Sequence, residues 1–383
     1  MILIQIIFWA VIFFVFHSYV FYPVLLWFFR GAAVRREKKN PNREVTISVI
    51  ISAYNEESII RQRIENLLSL DYPKGSVEIL IGSDGSSDGT NAIAAEYGTY
   101  NVTLMAFPDR RGKASVLNDL ALKANNEILI FSDANTFYDK DVFKNFVRHF
   151  SDETIGGVCG YLQLRSSDDN SGGKGESFYW EYENRIKELE GNYHTTFGAT
   201  GAIYAIRKNL FKPLPAAIAI TDDFLIPMNV VAQGYRIVYD KTVYGWEDST
   251  SSSMKEFHRK IRISAGNFNC LKDIIHLLHP KYGFIAFGFF SHKIIRWFVP
   301  FLLVIIFLSS LFLSSDSRTF AIIFGMQLVF AGLGCIGLVL DRMSRPLKLF
   351  TLPYYFLLAN LGLLIGFFRF LRGTQKAAWK ATR

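Results

Sequence analysis

Four stretches of this chain carry no Lys, Arg, Asp or Glu: residues 1–29, 297–315, 319–340 and 349–368. A helix needs about 20 apolar residues to cross a bilayer, and each stretch is close to that length or longer. The first is too long for a signal peptide, has no basic start and shows no small-x-small cleavage site, so it reads as a retained anchor. Arg30, Arg35, Arg36, Lys38, Lys39 and Arg43 follow it directly. Such basic flanks mark the cytoplasmic end of a span. The large middle region is therefore expected in the cytoplasm, on a multi-pass protein of the plasma or inner membrane.

The formal charge of +8 over 383 residues follows in part from these flanks. Because the basic residues gather at membrane ends and not along one soluble face, nucleic-acid binding is not expected. Cys159, Cys270 and Cys335 are far apart and form no C-x-x-C, so neither a disulfide framework nor a zinc site is implied.

Between the uncharged runs the pattern is α/β. The runs "VTISVIISAYN" (45–55), "VEILIGSDG" (77–85), a stretch near 102–107 and "EILIFSD" (127–133) read as strands. Helical spacing lies between them at 56–70, 88–98 and 113–125. This alternation predicts a mostly parallel sheet covered on both faces, and such sheets bind ligands at the carboxyl ends of their strands. Tyr54, Asn55, Asp84 and Asp133 all fall there. Beyond residue 135 the pattern is less regular. Residues 166–177 are rich in Ser, Gly and Asp and read as a mobile loop. Residues 178–191 look helical, and "DDFLIPMNVVAQGY" (222–235) reads as a helix ending at Gly234. Apolar residues from Phe257 to Leu278 recur at helical spacing opposite Lys255, Arg259, Lys260 and Arg262, which suits a helix in the membrane interface.

The expected organisation is an anchor (1–29), a basic linker (30–44), an α/β domain (45–254), amphipathic interface helices (255–292), about three C-terminal spans (293–371) and a basic tail (372–383). Three crossings from a cytoplasmic domain would leave the tail outside. Its Arg369, Arg372, Lys376, Lys380 and Arg383 ask for the inside. The run at 349–368, with Pro353 and Asn360, is where the count fails.

Familiar nucleotide motifs are excluded. "GSDGSSDG" (82–89) is not G-x-G-x-x-G, and "RGKAS" (111–115) lacks P-loop spacing. Asp84 to Gly89 imitates a calcium loop, but the twelfth position is Ala95 where a Glu is needed. What remains is carboxylates at strand ends, a lysine, and the acidic pair in "TDD" (221–223). A nucleoside diphosphate-sugar can use such parts: a carboxylate for a base N–H, a lysine for phosphate, an oxygen-held divalent cation for the departing diphosphate, and another carboxylate for a proton. Plainer readings exist for each. Asp84 suits turn chemistry, Asp222 and Asp223 suit a helix start, and Arg262 suits an interfacial snorkel.

Taken in order, Tyr54-Asn55-Glu56, "SDGSSDGT", "RGKASVLN", "FSDANT" and "TDD" resemble family-2 glycosyltransferases of the GT-A fold. Within that family they resemble the membrane-embedded branch of cellulose, chitin and hyaluronan synthases. The resemblance covers roughly residues 45–280 and implies roles. Tyr54, Glu56 and Asp84 would contact the nucleoside of a UDP-sugar donor. Lys113 would meet its phosphates, and Asp133 with Asn135 would bind Mg²⁺ or Mn²⁺. Asp223, beside Asp222, would be the base of an inverting transfer to a growing glycan or lipid-linked acceptor. Arg259 and Arg262 correspond to the Q-x-x-R-W motif of processive members. Two motifs depart from the pattern. The second carboxylate of D-x-D is Asn135, and the Gln and Trp of Q-x-x-R-W are Arg259 and Ile263. Two other readings stay open: single transfer to a polyprenyl phosphate, and a catalytically silent nucleotide-sugar-binding subunit of a polysaccharide assembly.

Overall fold

The uncharged N-terminal run forms one long helix in two parts, α1 (Ile2–Phe16) and α2 (Tyr22–Phe29), joined by a π turn at His17–Phe21. The computed structural model describes residues 1–30, 45–166, 171–249, 253–343, 345 and 347–377. The basic linker from 31 to 44 and the tail residues Lys380 and Arg383 lie outside them.

Apolar runs buried on both faces build the first half of the sheet, as parallel pairing requires. β1 (Ile47–Ala53), β2 (Val77–Asp84), β3 (Val102–Phe107) and β4 (Ile128–Ser132) run parallel. The register sets Ile51 beside both Ile81 and Ser132, so the carboxyl ends line one edge. α3 (Ile60–Leu68), α4 (Thr90–Ala95) and α5 (Lys113–Lys123) connect and cover these strands. Past residue 135 the strand–helix alternation fades, and so does the parallel pairing. β5 (Phe137–Tyr138), α6 (Val142–Val147), β6 (Ile155–Ser166), α7 (Ser171–Tyr193), β7 (Tyr204–Arg207), α8 (Asp222–Ala232) and β8 (Arg236–Ser249) complete a sheet of order β3-β2-β1-β4-β7-β6-β8-β5. β7 runs antiparallel to β4 and β6, and β5 antiparallel to β8. The sheet as a whole is therefore mixed. The loop expected at 166–177 is helical from Ser171 onward, an extension of α7 that its Gly-rich sequence does not explain; residues 167–170 lie outside the described ones.

Arg63 of α3 is fully buried under β4. Its guanidinium donates to Ser132 Oγ at 2.8 Å and to Asn66 Oδ1 at 2.7 Å, and lies 4.2 Å from the centre of the Tyr138 ring. Burial lowers its pKa to about 10, against the pull of Tyr138 and Asp133. This cation sits directly behind the strand end that carries Asp133.

After β8 come α9 (Ser253–Ile274), α10 (Phe284–Gly288), α11 (Ile295–Leu313), α12 (Arg318–Arg342) and α13 (Lys348–Leu371), with a second π turn at Phe289–Ile294. Among the described residues, four helical stretches are long and apolar enough to cross a membrane: Ile2–Phe29, Phe284–Leu313, Arg318–Arg342 and Lys348–Leu371. The two π turns meet, and His17 Nε2 lies 2.8 Å from Ser291 Oγ. Around them α7 supplies two buried carboxylates. Glu190 accepts from Tyr22 Oη at 2.9 Å and faces His292 Nδ1 at 2.6 Å; Glu183 faces His292 Nε2 at 3.1 Å and pairs with Arg296. Charges this deeply buried are tolerable only when paired, so the network fixes the apolar segments onto the α/β domain.

α13 departs from the other long helices. Its first half packs on the end of α12, where Tyr354 Oη reaches Asp341, and its second half on the start of α11, where Phe301 and Phe367 rings sit 4.9 Å apart. Between these points it runs parallel to α9. A Cβ on Gly362 would press on Lys260 and Phe257, a Cβ on Gly366 would collide with Ser264 and the Ile261 carbonyl, and Ser264 Oγ donates to the Leu363 carbonyl at 2.8 Å. The apolar stripe of α9, which suits a membrane interface, is thus covered by α13. Of the glycines on α12, Gly334 packs against Leu357 while Gly332 has open space.

Arg63→Ala removes a cation over a ring and one hydrogen bond each to Asn66 and Ser132. Cavity and lost hydrogen bonds together should destabilise the α/β domain by roughly 3 kcal/mol. Thermal unfolding of the full chain in lipid nanodiscs checks this; an unchanged midpoint would show that Arg63 does not support the β4 end.

Candidate active site

The carboxyl ends of β1, β2 and β4 open into a cavity of about 460 Å³, within the range of small-molecule and cofactor sites. Tyr54, Glu56, Asp84, Lys113, Asp133, Asn135, Asp222, Asp223, Arg259 and Arg262 all line it. The structure therefore brings together the ten residues to which the resemblance gives a role, while Asn55 is not among the lining residues and instead accepts from the Ser87 N–H at 2.9 Å.

Asp84 ends β2 and organises the neighbouring turn. Its two carboxylate oxygens accept from the backbone N–H of Arg111 at 2.7 Å and of Gly112 at 2.9 Å. Gly112 has φ +94°, a left-handed conformation that only glycine adopts without strain, and it lets the chain enter α5 at Lys113. Tyr54 lies beneath the guanidinium of Arg110, 3.6 Å from the ring centre. The backbone N–H of Glu56 donates to Thr90 Oγ1 at 2.8 Å, and its side chain is buried.

Lys113 is the electrostatic centre. Its Nζ lies 2.9 Å from Asp133 Oδ1 and 3.2 Å from Asp222 Oδ2. Burial alone would lower its pKa, but the charges of Asp133 and Asp222 more than reverse this and raise it. Burial works the other way on Asp133, and Lys113 overrides it to hold that carboxyl below its usual range. Asp223 differs. Burial and the adjacent charge of Asp222 push its pKa up to about 6, only partly offset by Lys113 and Lys187. Two carboxylates in one pocket thus separate into a firmly ionised one and one poised near neutrality, the pattern expected of an acid–base pair of roles.

Asp223 is held at the start of α8 from below. Its carbonyl accepts from Ala199 N–H at 2.8 Å, and a Cβ on Gly201 would stand 3.0 Å from its Oδ2, so glycine there leaves room for the carboxylate. That loop is "FGATG" (197–201). Lys187 of α7 ties it down by donating to Thr200 Oγ1 at 2.9 Å. On the opposite wall α9 offers Arg259, whose guanidinium pairs with buried Glu256, and Arg262. Burial lowers the pKa of Arg262 while Asp222, Asp223 and Asp133 act to raise it.

Several lining residues escaped the sequence reading. Trp180 donates its indole N–H to the Leu162 carbonyl at 2.9 Å and lines the cavity; on sequence it is one more helix aromatic. Arg110, Glu247 and Glu256 carried no motif. The four-residue step from Glu256 to Lys260 was a signal, since it marks one helix face.

Among the described residues, no three His, Cys, Asp or Glu side chains stand close enough to hold a metal alone. The oxygen donors of Asp133 and Asn135 suit Mg²⁺ or Mn²⁺, which take one or two protein ligands and complete their shell with substrate phosphate.

Residues 48–214 match the family described as Glycosyl transferase family 2. A protein of Bacillus subtilis named "Probable glycosyltransferase YdaM" is 25% identical over 271 residues, covering 66% of this chain and 63% of its own. A poly-beta-1,6-N-acetyl-D-glucosamine synthase of Staphylococcus aureus is 26% identical over 253 residues, covering 60% of each. The chain spans about three-fifths of the length of these curated relatives. Among solved structures, a mannosyltransferase of Pyrobaculum calidifontis, in complex with GDP-Man and Mn²⁺, superposes with a TM-score of 0.71 at 20% identity, over 94% of this chain and 99% of the other. At that identity the likeness is one of fold.

A carboxyl whose pKa rises from 3.8 to about 6 on folding binds its proton more tightly folded than unfolded. It therefore subtracts stability progressively as pH climbs from about 4 to about 6, and in full above that. Asp223→Asn should raise the unfolding midpoint at pH 7.5, with the gain shrinking toward pH 4. A gain independent of pH would contradict the raised pKa.

Proposed function

Because this chain carries a family 2 glycosyltransferase domain, we propose that it transfers a sugar, with inversion, from a nucleoside diphosphate-sugar to a hydroxyl acceptor on a growing or lipid-linked glycan. The observation that carries the reading is the split pair in one cavity: Asp133 held ionised against Lys113, and Asp223 raised to about 6. The relatives named as glycosyltransferase and as poly-N-acetylglucosamine synthase support it. A UDP-sugar is the donor the sequence resemblance implies.

In this reading Tyr54, Glu56 and Asp84 cradle the nucleoside, and the Arg110 plane over Tyr54 closes that end. Lys113 and Arg262 neutralise the diphosphate. Asp133 and Asn135 would hold a divalent cation, which would supply electrostatic stabilisation of the departing diphosphate. Asp223 accepts the proton of the acceptor hydroxyl as that oxygen attacks the anomeric carbon. Gly201 and the Lys187-pinned loop keep its Oδ2 facing the cavity. Trp180 offers the acceptor sugar an apolar face.

Asp223→Asn keeps the shape and the donor contacts but cannot take a proton. Transfer should fall by at least a hundredfold, the scale of general-base contributions, with nucleotide affinity within about twofold of wild type. Intact turnover in Asp223→Asn would refute the assigned base.

We also infer the topology. The first half of α13 packs along the second half of α12, its second half meets the start of α11, and its length lies on α9, whose far side lines the cavity. α13 then lies along the interface, α11 and α12 cross, and the basic tail returns to the cytoplasm with the domain. A cysteine at Lys376, in a chain whose own Cys335 is replaced, should resist a membrane-impermeant maleimide applied from outside. Prompt labelling from outside would place α13 across the bilayer.

A further inference from the structure

The cation pair Asp133 and Asn135 brings one formal charge where a divalent ion gains from two. The structure sets another carboxylate beside the neutral member. Asn135 Nδ2 donates to Glu247 Oε2 at 3.3 Å, and Asp133, Asn135 and Glu247 line the same cavity. This neighbourhood is built by the sheet. β5 is only two residues long, and its pairing of Phe137 with Trp246 and of Tyr138 with Gly245 fixes residues 135–137 against 246–247. The Phe137 and Trp246 rings stack at 6.2 Å, and Arg63 braces the same segment through Tyr138. Asn135 and Glu247 are separated by more than a hundred residues, so no local motif links them.

The hydrogen bond also orients the amide. With Nδ2 committed to Glu247, the atom of Asn135 that remains to ligate is Oδ1, the one that suits a hard cation. We propose that Glu247 is the second carboxylate of the cation site, supplying from β8 the charge that Asn135 lacks and turning the Asn135 amide oxygen toward the ion. The proposal rests on the reading of the cavity as a nucleoside diphosphate and cation site. Glu247 is a positioning and charge-supplying residue here, acting with Asn135; Asp223 and Lys113 keep their roles unchanged.

The test is Mn²⁺ binding followed by electron paramagnetic resonance. It uses the full chain in nanodiscs with UDP present, repeated with GDP, and needs no turnover. Outer-shell partners of metal ligands typically govern affinity by about 10–100-fold. Glu247→Gln, which keeps shape and hydrogen bonding, should weaken Mn²⁺ at least tenfold while metal-free UDP affinity stays within about twofold. Asn135→Asp in the same chain moves the charge onto position 135 and should restore Mn²⁺ affinity to within about threefold of wild type. Unchanged Mn²⁺ affinity in Glu247→Gln overturns the proposal and leaves the nucleotide-site reading standing. Failure of Asn135→Asp to rescue a folded Glu247→Gln chain, with its unfolding midpoint at the wild-type value, also overturns it. If wild type binds Mn²⁺ with neither UDP nor GDP, both this proposal and the cation assignment fall together.

Discussion

The site depends on one buried ammonium. Four strands that end along one edge deliver Asp84, Asp133 and, from the neighbouring helix start, Asp222 and Asp223 into a single cavity. Carboxylates gathered out of water repel and resist ionisation. Lys113, released into the cavity by the turn at Gly112, lies within 3.2 Å of Asp133 and Asp222 and holds the Asp133 carboxyl below its usual range. Asp84 is engaged differently, its two oxygens accepting from the backbone N–H groups of Arg111 and Gly112. Asp223 is left as the member whose proton is loosely decided, and that difference is what a general base requires.

A second constraint joins this chemistry to the apolar helices. One stripe of α7 carries Trp180, Glu183, Lys187 and Glu190, steps of three and four residues that fall on one face. Trp180 lines the cavity, and Lys187 pins the loop beneath Asp223. Glu183 and Glu190 hold the two π turns through His292, Arg296 and Tyr22. π turns concentrate at functional positions of helices; here a pair of them shapes the joint between the first and later apolar segments. The same helix therefore lines one part of the cavity and ties it to the apolar segments. α9 and α13 form the other wall in the same manner, α9 facing the cavity and α13 covering its back.

Much of the first half was legible in the sequence. Strands buried on both faces announce themselves as uninterrupted Val, Ile and Leu runs, and their carboxyl ends are where Tyr54, Asp84 and Asp133 stand. Lys113, Asp222 and Asp223 were legible because short ordered motifs carry them. The second half was less so, because its geometry comes from long-range pairing. β5 is too short to leave a pattern, yet it sets Glu247 beside Asn135. The α7 stripe is polar, and polar residues at helical spacing ordinarily mark a solvated face. Hydropathy found α13 but does not distinguish a helix that crosses from one that lies along the surface; the packing of Gly362 and Gly366 on α9 is long-range and leaves no mark in a hydropathy pattern.

The central claim is that one cavity binds a nucleotide-sugar with a divalent cation and transfers its sugar. The most direct test is release of nucleoside diphosphate by the purified chain in native-like lipid. A panel of UDP- and GDP-linked sugars would be offered with Mn²⁺ or with EDTA. Release from one donor, abolished by EDTA, is the expected result. Release that persists unchanged in EDTA, or tight donor binding without release when glycan and polyprenyl phosphate acceptors are supplied, would contradict it.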